Sequence, residues 1–188
     1  MSWYNRGYLE MIIGPMFSGK STELIRRIRL AKSINKSVLV IKPKLDDRYL
    51  KDEIVSHSFD SEKCVIINFL SEVDSIVSKY DLIIIDEAQF FPDLKENVIK
   101  WTDEYNLHIV IGGLDGDFKR KPIGQILELI PYADVCEKQK SFCKLCLDGT
   151  EAIYSLKTSK SETQIEIGGE DVYKPVCRKH YLENNKKI

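Results

Sequence analysis

Three groups of residues have the types and the spacing to do chemistry. The first is Gly14-Pro15-Met16-Phe17-Ser18-Gly19-Lys20-Ser21-Thr22, which fits the pattern G-x-x-x-x-G-K-S. Gly14 and Gly19 let backbone N–H groups wrap a phosphate, and a helix starting behind them adds the favourable end of its dipole. Lys20 supplies a point charge to the β- and γ-phosphates, and the Ser21 hydroxyl can sit on Mg²⁺. The second group is Asp86-Glu87, at the end of the apolar run Leu82-Ile83-Ile84-Ile85. An Asp delivered by a buried strand is the Walker B arrangement for Mg²⁺, and the adjacent Glu projects toward the reacting γ-phosphate. The third group pairs Cys143-Lys144-Leu145-Cys146 with Cys177-Arg178-Lys179-His180. Three thiolates and an imidazole make a complete tetrahedral set for a structural Zn²⁺. The gap of about thirty residues between the two halves exceeds the usual zinc-ribbon spacing, so an insertion loops out there.

The elements that must position these groups can be read from apolar spacing. Leu9, Met11, Ile12 and Ile13 form a short buried strand before the glycine-rich loop, and Leu24, Ile25 and Ile28 recur at helical spacing after it. Ser37 to Ile41 reads as a second strand, stopped by Lys42-Pro43, and Cys64 to Phe69 as a third. Ser71 is placed to cap a helix through Tyr80 with Val73, Ile76 and Val77 inward. A helix over Leu94 to Tyr105 and a strand over Leu107 to Ile111 follow, the strand ending at Gly112-Gly113-Leu114-Asp115-Gly116. Strands alternating with helices predict an α/β fold: a P-loop NTPase-like parallel sheet with helices on both faces and the site at the strands' carboxyl ends. Composition changes near Ser141. The expected division is a P-loop α/β domain over 1–140 and a small zinc-ribbon-like domain over 141–188. Within the insertion, Lys157 to Thr163 is polar, and Ile165 and Ile167 alternate before Gly168-Gly169. Cys64 and Cys136 have no partner motif and are expected in the core. His57 and His108 are assigned to no metal.

Length and composition bound the rest. A chain of 188 residues with 43% apolar content can bury one sizeable core plus a small appendage. Its 28 basic and 29 acidic side chains nearly cancel, which disfavours extended duplex or membrane-surface binding. An odd set of five cysteines, four of them after position 130, suits a metal site better than a secreted disulfide framework. With neither a secretory leader nor an apolar span in the sequence, a cytoplasmic location is expected.

Taken in order, the motifs resemble those of one family, the type II thymidine kinases, over nearly the whole chain. The resemblance is carried by Gly14 to Thr22, by Asp-Glu-Ala-Gln-Phe-Phe-Pro-Asp (86–93) and by Leu-Asp-Gly-Asp-Phe-Lys-Arg-Lys-Pro-Ile-Gly (114–124). Ile-Gly-Gly-Glu-Asp-Val-Tyr (167–173) and the cysteine pairs complete it. Ala88 departs from the family's usual Gly or Val, and His180 stands where the animal enzymes have a fourth Cys. The resemblance implies transfer of the ATP γ-phosphate to the 5′-hydroxyl of thymidine, with deoxyuridine as a second acceptor, for salvage of DNA precursors. It implies Glu87 as the base, and Asp86, Ser21, Asp46 and Gln89 around the metal and phosphates. Arg48 would offset charge on the transferring group. Thymine would be held by the main chain of a lasso loop, Gln164, Ile165, Glu166, Ile167 and Gly168. Phe118 would stack on the base, while Met16, Leu114 and Tyr173 line the 5-methyl pocket. A homotetramer with feedback inhibition by thymidine triphosphate is also implied, with no nucleic-acid or membrane partner.

Two other classes compete with a nucleoside kinase. A zinc-bearing P-loop ATPase acting on nucleic acid predicts a basic face with stacking aromatics, against the near-neutral charge. A nucleotide-binding regulatory module needs no base, against the Glu87 carboxylate beside Asp86.

Overall fold

The computed structural model describes residues 6–45, 53–55, 61–159, 163–166, 168–169 and 171–185. In chain order these form β1 (Tyr8–Gly14), α1 (Lys20–Ser33), β2 (Val38–Pro43), β3 (Glu53–Val55), β4 (Ser61–Lys63) and β5 (Val65–Ile67). A 3₁₀ turn over Leu70–Val73 runs into α2 (Asp74–Val77), followed by β6 (Leu82–Ile85) and a 3₁₀ turn at Ala88–Phe90. Then come α3 (Leu94–Ile99), a π turn at Lys100–Glu104, β7 (His108–Leu114), a 3₁₀ stretch at Ile126–Tyr132 and β8 (Val135–Lys138). The remaining elements are β9 (Ser141–Phe142), β10 (Glu151–Ala152), β11 (Tyr154–Lys157), β12 (Tyr173–Val176) and α4 (Arg178–Asn185).

Six strands make one parallel sheet in the order β5-β2-β6-β7-β1-β8. Because strand side chains alternate in direction, the two faces divide cleanly by parity. Ile12, Val40, Ile84 and Val110 meet Leu24, Ile25, Ile28 and Ala31 of α1 on one face. Met11, Ile41, Ile85 and Ile111 meet Val77, Leu94, Val98 and Trp101 on the other. Each fully buried Leu or Ile contributes about 1.5–3 kcal/mol, so α1 is held mainly by its apolar stripe. The expected α/β sheet with helices on both faces is what the sequence folds into.

Three expectations differ in detail. The segment from Ser71 to Tyr80 is not one capped helix, because Asp93 supplies the cap instead: its carboxylate accepts from Leu70 N and Ser71 N, both at 3.0 Å. The helix after Leu94 changes pitch at Lys100, where Lys100 Nζ and Trp101 Nε1 both reach Asp74 at 2.8 Å. Cys136 is exposed rather than part of the core, since β8 is the edge strand and presents all four residues to solvent. Cys64 is half-buried against the α1 face, and His57 lies outside the described residues.

Candidate active site

Sheet order decides which loops meet. β7 lies between β6 and β1, with Ile85 level with Ile111 and Gly14 level with Leu114. The carboxyl ends of the three strands therefore bring the glycine-rich loop, Asp86-Glu87 and Leu114 to one edge. Among the described residues they border a single cleft with Phe118, Gln164 to Glu166 and Tyr173.

The phosphate end is preorganised by backbone shape. Phe17 (φ 63°) and Gly19 (φ 86°) both adopt left-handed conformations, which turns successive N–H groups inward. Gly19 takes that shape without a Cβ penalty and starts α1. Lys20 is buried, and its Nζ donates to Pro15 O at 2.7 Å, so the cation is set within the loop. Ser21 Oγ donates to Asp86 Oδ2 at 3.2 Å, which joins the two motifs read separately from sequence. Glu87 itself is left-handed (φ 47°, ψ 42°), and its N–H donates to Asp86 Oδ1 at 3.0 Å. The Gln89 amide donates to Glu87 Oε2 at 2.6 Å and accepts from Leu114 N at 3.0 Å. Gly14, Pro15, Asp86 and Gln89 support the cleft from behind rather than lining it.

The far end of the cleft is bordered by residues from before and after position 140. Tyr173 pairs with Lys157 where β11 and β12 meet, so the lasso segment leaves from one register step and returns to it. Lys157 Nζ reaches Glu166 Oε2 at 2.7 Å and Thr163 O at 2.9 Å, and lies 4.6 Å from the Phe118 ring centroid. The Gln164 side chain donates to Asp117 Oδ2 and to Pro122 O at 3.0 and 3.2 Å, tying the lasso to the 114–124 segment. Asp117 is buried and accepts from Lys119 N and Lys121 N, which shapes the turn that carries Phe118. Gly168 does not line the cleft. Asp46, Arg48 and Ile167 lie outside the described residues.

Cys143, Cys146, Cys177 and His180 converge with all four ligand atoms within 4.8 Å of one another. Cys143 and Cys146 follow β9, Cys177 follows β12, and His180 stands in the first turn of α4. The Cys146 and Cys177 sulfurs are 3.8 Å apart, and His180 Nδ1 is 3.3–3.5 Å from all three sulfurs. Neighbouring thiolates on a tetrahedral ion with bonds of about 2.3 Å stand about 3.8 Å apart, so the set fits such an ion. Burial pushes the Cys143 thiol up, but N–H groups of Cys177, Leu145 and Cys146 outweigh it and bring it down to about 6. Burial and the Cys143 sulfur push Cys146 up to about 11.

Two contacts join the segment carrying this Cys₃His group to the cleft, and neither was read from the sequence. Ser155, buried on β11, accepts from Met16 N at 3.0 Å and so holds the phosphate loop. Tyr181, one residue after His180, donates its hydroxyl to Phe118 O at 2.7 Å. Burial pushes the Tyr181 phenol up, which keeps it a donor at neutral pH. A lone Ser in a short strand and a Tyr in a short helix carry no sequence signal, because their partners lie 139 and 63 residues away.

Comparison with known proteins now decides between the readings. The family model described as thymidine kinase matches residues 7–181. The chain belongs to the thymidine kinase family. Thymidine kinase a of Arabidopsis thaliana is 41% identical over 184 residues, covering 95% of this chain and 76% of its own. The thymidine kinase of Bacteroides thetaiotaomicron is 37% identical over 187 residues, covering 97% and 93%. That of Vaccinia virus (strain Western Reserve) is 39% identical over 181 residues, covering 96% and 99%. The thymidine kinase match spans both the phosphate loop and the Cys₃His group, so both belong to the family's shared chain. It does not favour a nucleic-acid ATPase. No helix among the described residues is long and apolar enough to cross a membrane.

Proposed function

We infer that this chain is an ATP-dependent thymidine kinase, moving the γ-phosphoryl group of ATP to the 5′-hydroxyl of thymidine. The observation that carries the reading is the shared cleft: a phosphate loop with a fixed cation, the Glu87 carboxylate and aromatic walls border one space. In the proposed division of roles, N–H groups of the loop and Lys20 hold the triphosphate, and Glu87 accepts the 5′-hydroxyl proton as the new P–O bond forms. Ser21 and Asp86 would hold Mg²⁺, which offsets charge on the β- and γ-phosphate oxygens when bound. Phe118 offers its ring face to the pyrimidine, and the lasso closes over it and excludes water. Met16, Leu114 and Tyr173 would surround the 5-position, and Asp46 and Arg48 would complete the phosphate side.

The Cys₃His group supports a structural Zn²⁺ that fixes the roots of β9, β12 and α4. Division at about residue 140, a cytoplasmic location, a homotetramer and feedback inhibition by thymidine triphosphate follow the family and are proposed on that ground. The test is a panel of nucleosides with Mg·ATP, scored for monophosphate. Thymidine should be the preferred acceptor; ATP hydrolysis stimulated by nucleic acid, with no nucleoside product, refutes the reading.

A further inference from the structure

We propose that Gln89 is the positioning residue that aims the Glu87 carboxylate, and that it does so from the main chain of β7. This rests on the kinase reading above and goes beyond it. A base that accepts an alcohol proton needs one oxygen turned to the substrate in a fixed direction. Glu87 is poorly placed to provide that by itself. It sits in a left-handed turn, a shape that costs a non-glycine residue of order 1 kcal/mol and leaves the side chain outside any regular element.

Gln89 supplies a constraint from β7. Its side chain is only 2% exposed. Because its oxygen accepts from Leu114 N at 3.0 Å, its NH₂ group is the end that faces Glu87 Oε2 at 2.6 Å. The amide orientation is therefore set by a backbone donor on the central strand rather than by choice. With Oε2 engaged by an amide that is itself held by β7, the direction of the carboxylate is tied to the sheet.

The sequence has cleared space for this residue. A Cβ at Gly113 would stand 2.4 Å from Gln89 Oε1, and one at Gly124 would stand 2.1 Å from the Gln89 carbonyl oxygen. Gly124 also has φ +55°, a left-handed shape that suits glycine. Neither glycine belongs to the phosphate loop; Gly113 abuts the Gln89 side chain, which bridges β7 and Glu87, and Gly124 abuts the Gln89 backbone. Leu114 is at the same time a wall of the base pocket. The pocket wall and the base are thus two hydrogen bonds apart through a single amide.

The test compares wild-type protein with Gln89→Met and Gln89→Glu, measuring kcat, KM for each substrate and melting temperature. Gln89→Met removes both hydrogen bonds at similar length. Gln89→Glu keeps the acceptor for Leu114 N but turns a second carboxylate on Glu87. Misplacing a reacting group by about 1 Å costs on the order of 10²-fold, so kcat should fall about 10- to 100-fold in both variants. KM for ATP should stay within about twofold, since the phosphate loop is untouched. Gln89→Glu should lose at least as much kcat as Gln89→Met while melting nearer to wild type. A Gln89→Glu protein retaining more than about half of wild-type kcat overturns the positioning role and leaves Gln89 as packing for Leu114. Equal rises in both KM values with kcat unchanged overturn it as well. Wild-type protein that phosphorylates no nucleoside overturns the kinase reading itself, and this inference with it.

Discussion

The bond from Tyr181 to Phe118 allows the coupling between the Cys₃His group and the proposed nucleobase pocket to be measured. Tyr181→Phe removes one oxygen and leaves the ring, with the Arg120 guanidinium still 4.8 Å from its centroid. What is lost is a 2.7 Å donor to Phe118 O from a residue that is 4% exposed. Such a bond is worth about 0.5–1.5 kcal/mol net, and a carbonyl left unsatisfied costs about 1–3 kcal/mol. Only the share felt differently by free and nucleoside-bound protein reaches affinity. The proposed stacking on Phe118 requires its main chain in place, so the variant must hold it there on binding without the bond. At about 1 kcal/mol of differential loss, with 1.4 kcal/mol per tenfold, thymidine affinity falls about fivefold. The expected range is about 3- to 10-fold by isothermal titration, with ATP affinity changed less than about twofold. A Tyr181→Phe protein that binds thymidine as wild type, while its melting temperature falls, would show that the bond is structural only. Equal loss for both ligands would show that the damage spreads to the phosphate loop.

Three further outcomes are expected. Glu87→Gln keeps size and removes proton affinity, so single-turnover phosphoryl transfer should slow by about 10²–10⁴-fold while ATP still binds; near wild-type turnover removes Glu87 from the mechanism. Elemental analysis should find about one zinc per chain, and Cys146→Ser should lower it and weaken thymidine binding more than ATP binding, whereas full zinc occupancy in that variant contradicts the ligand set. Asp81 is held down to about 2 by Lys36, the Ser37 hydroxyl and the Ser37 N–H, against an ordinary value of 3.8. A depressed carboxylate stabilises the fold above its unfolded value and loses that effect as pH falls through the folded one. The melting-temperature deficit of Asp81→Asn should therefore be full above about pH 4 and close toward pH 2; a deficit independent of pH would assign it to lost packing.

How much of this was legible in the sequence depended on range. The phosphate loop, the acidic strand end and the two cysteine half-sites are local patterns, and each folds as its spacing implies because the interaction it announces lies within a few residues. The apolar runs likewise announced strands covered on both faces, and both faces are packed. Ser155, Tyr181 and the Gln164 side chain act through partners 42 to 139 residues distant, and no local pattern marks them. Cys136 was misplaced for a related reason: a cysteine's usual burial says nothing about strand order, and β8 happens to be the edge. The left-handed turn at Glu87 also escaped notice, because Glu is not a residue that advertises such a shape.

Met16 belongs to the phosphate loop, borders the cleft and has its N–H held by Ser155. On the proposed roles, one short segment would then serve both the nucleobase pocket and the cradle for the triphosphate. Changes that make room for a bulkier 5-substituent by moving Met16 or Ser155 also displace the N–H groups that meet phosphate. Acceptor range and donor affinity are then inherited together, and analogue-activating variants reached from this side should show weaker nucleotide binding as a correlated trait. Variation at Ile123, on the wall outside the phosphate loop, gives selection a way to alter the acceptor while leaving the donor site alone.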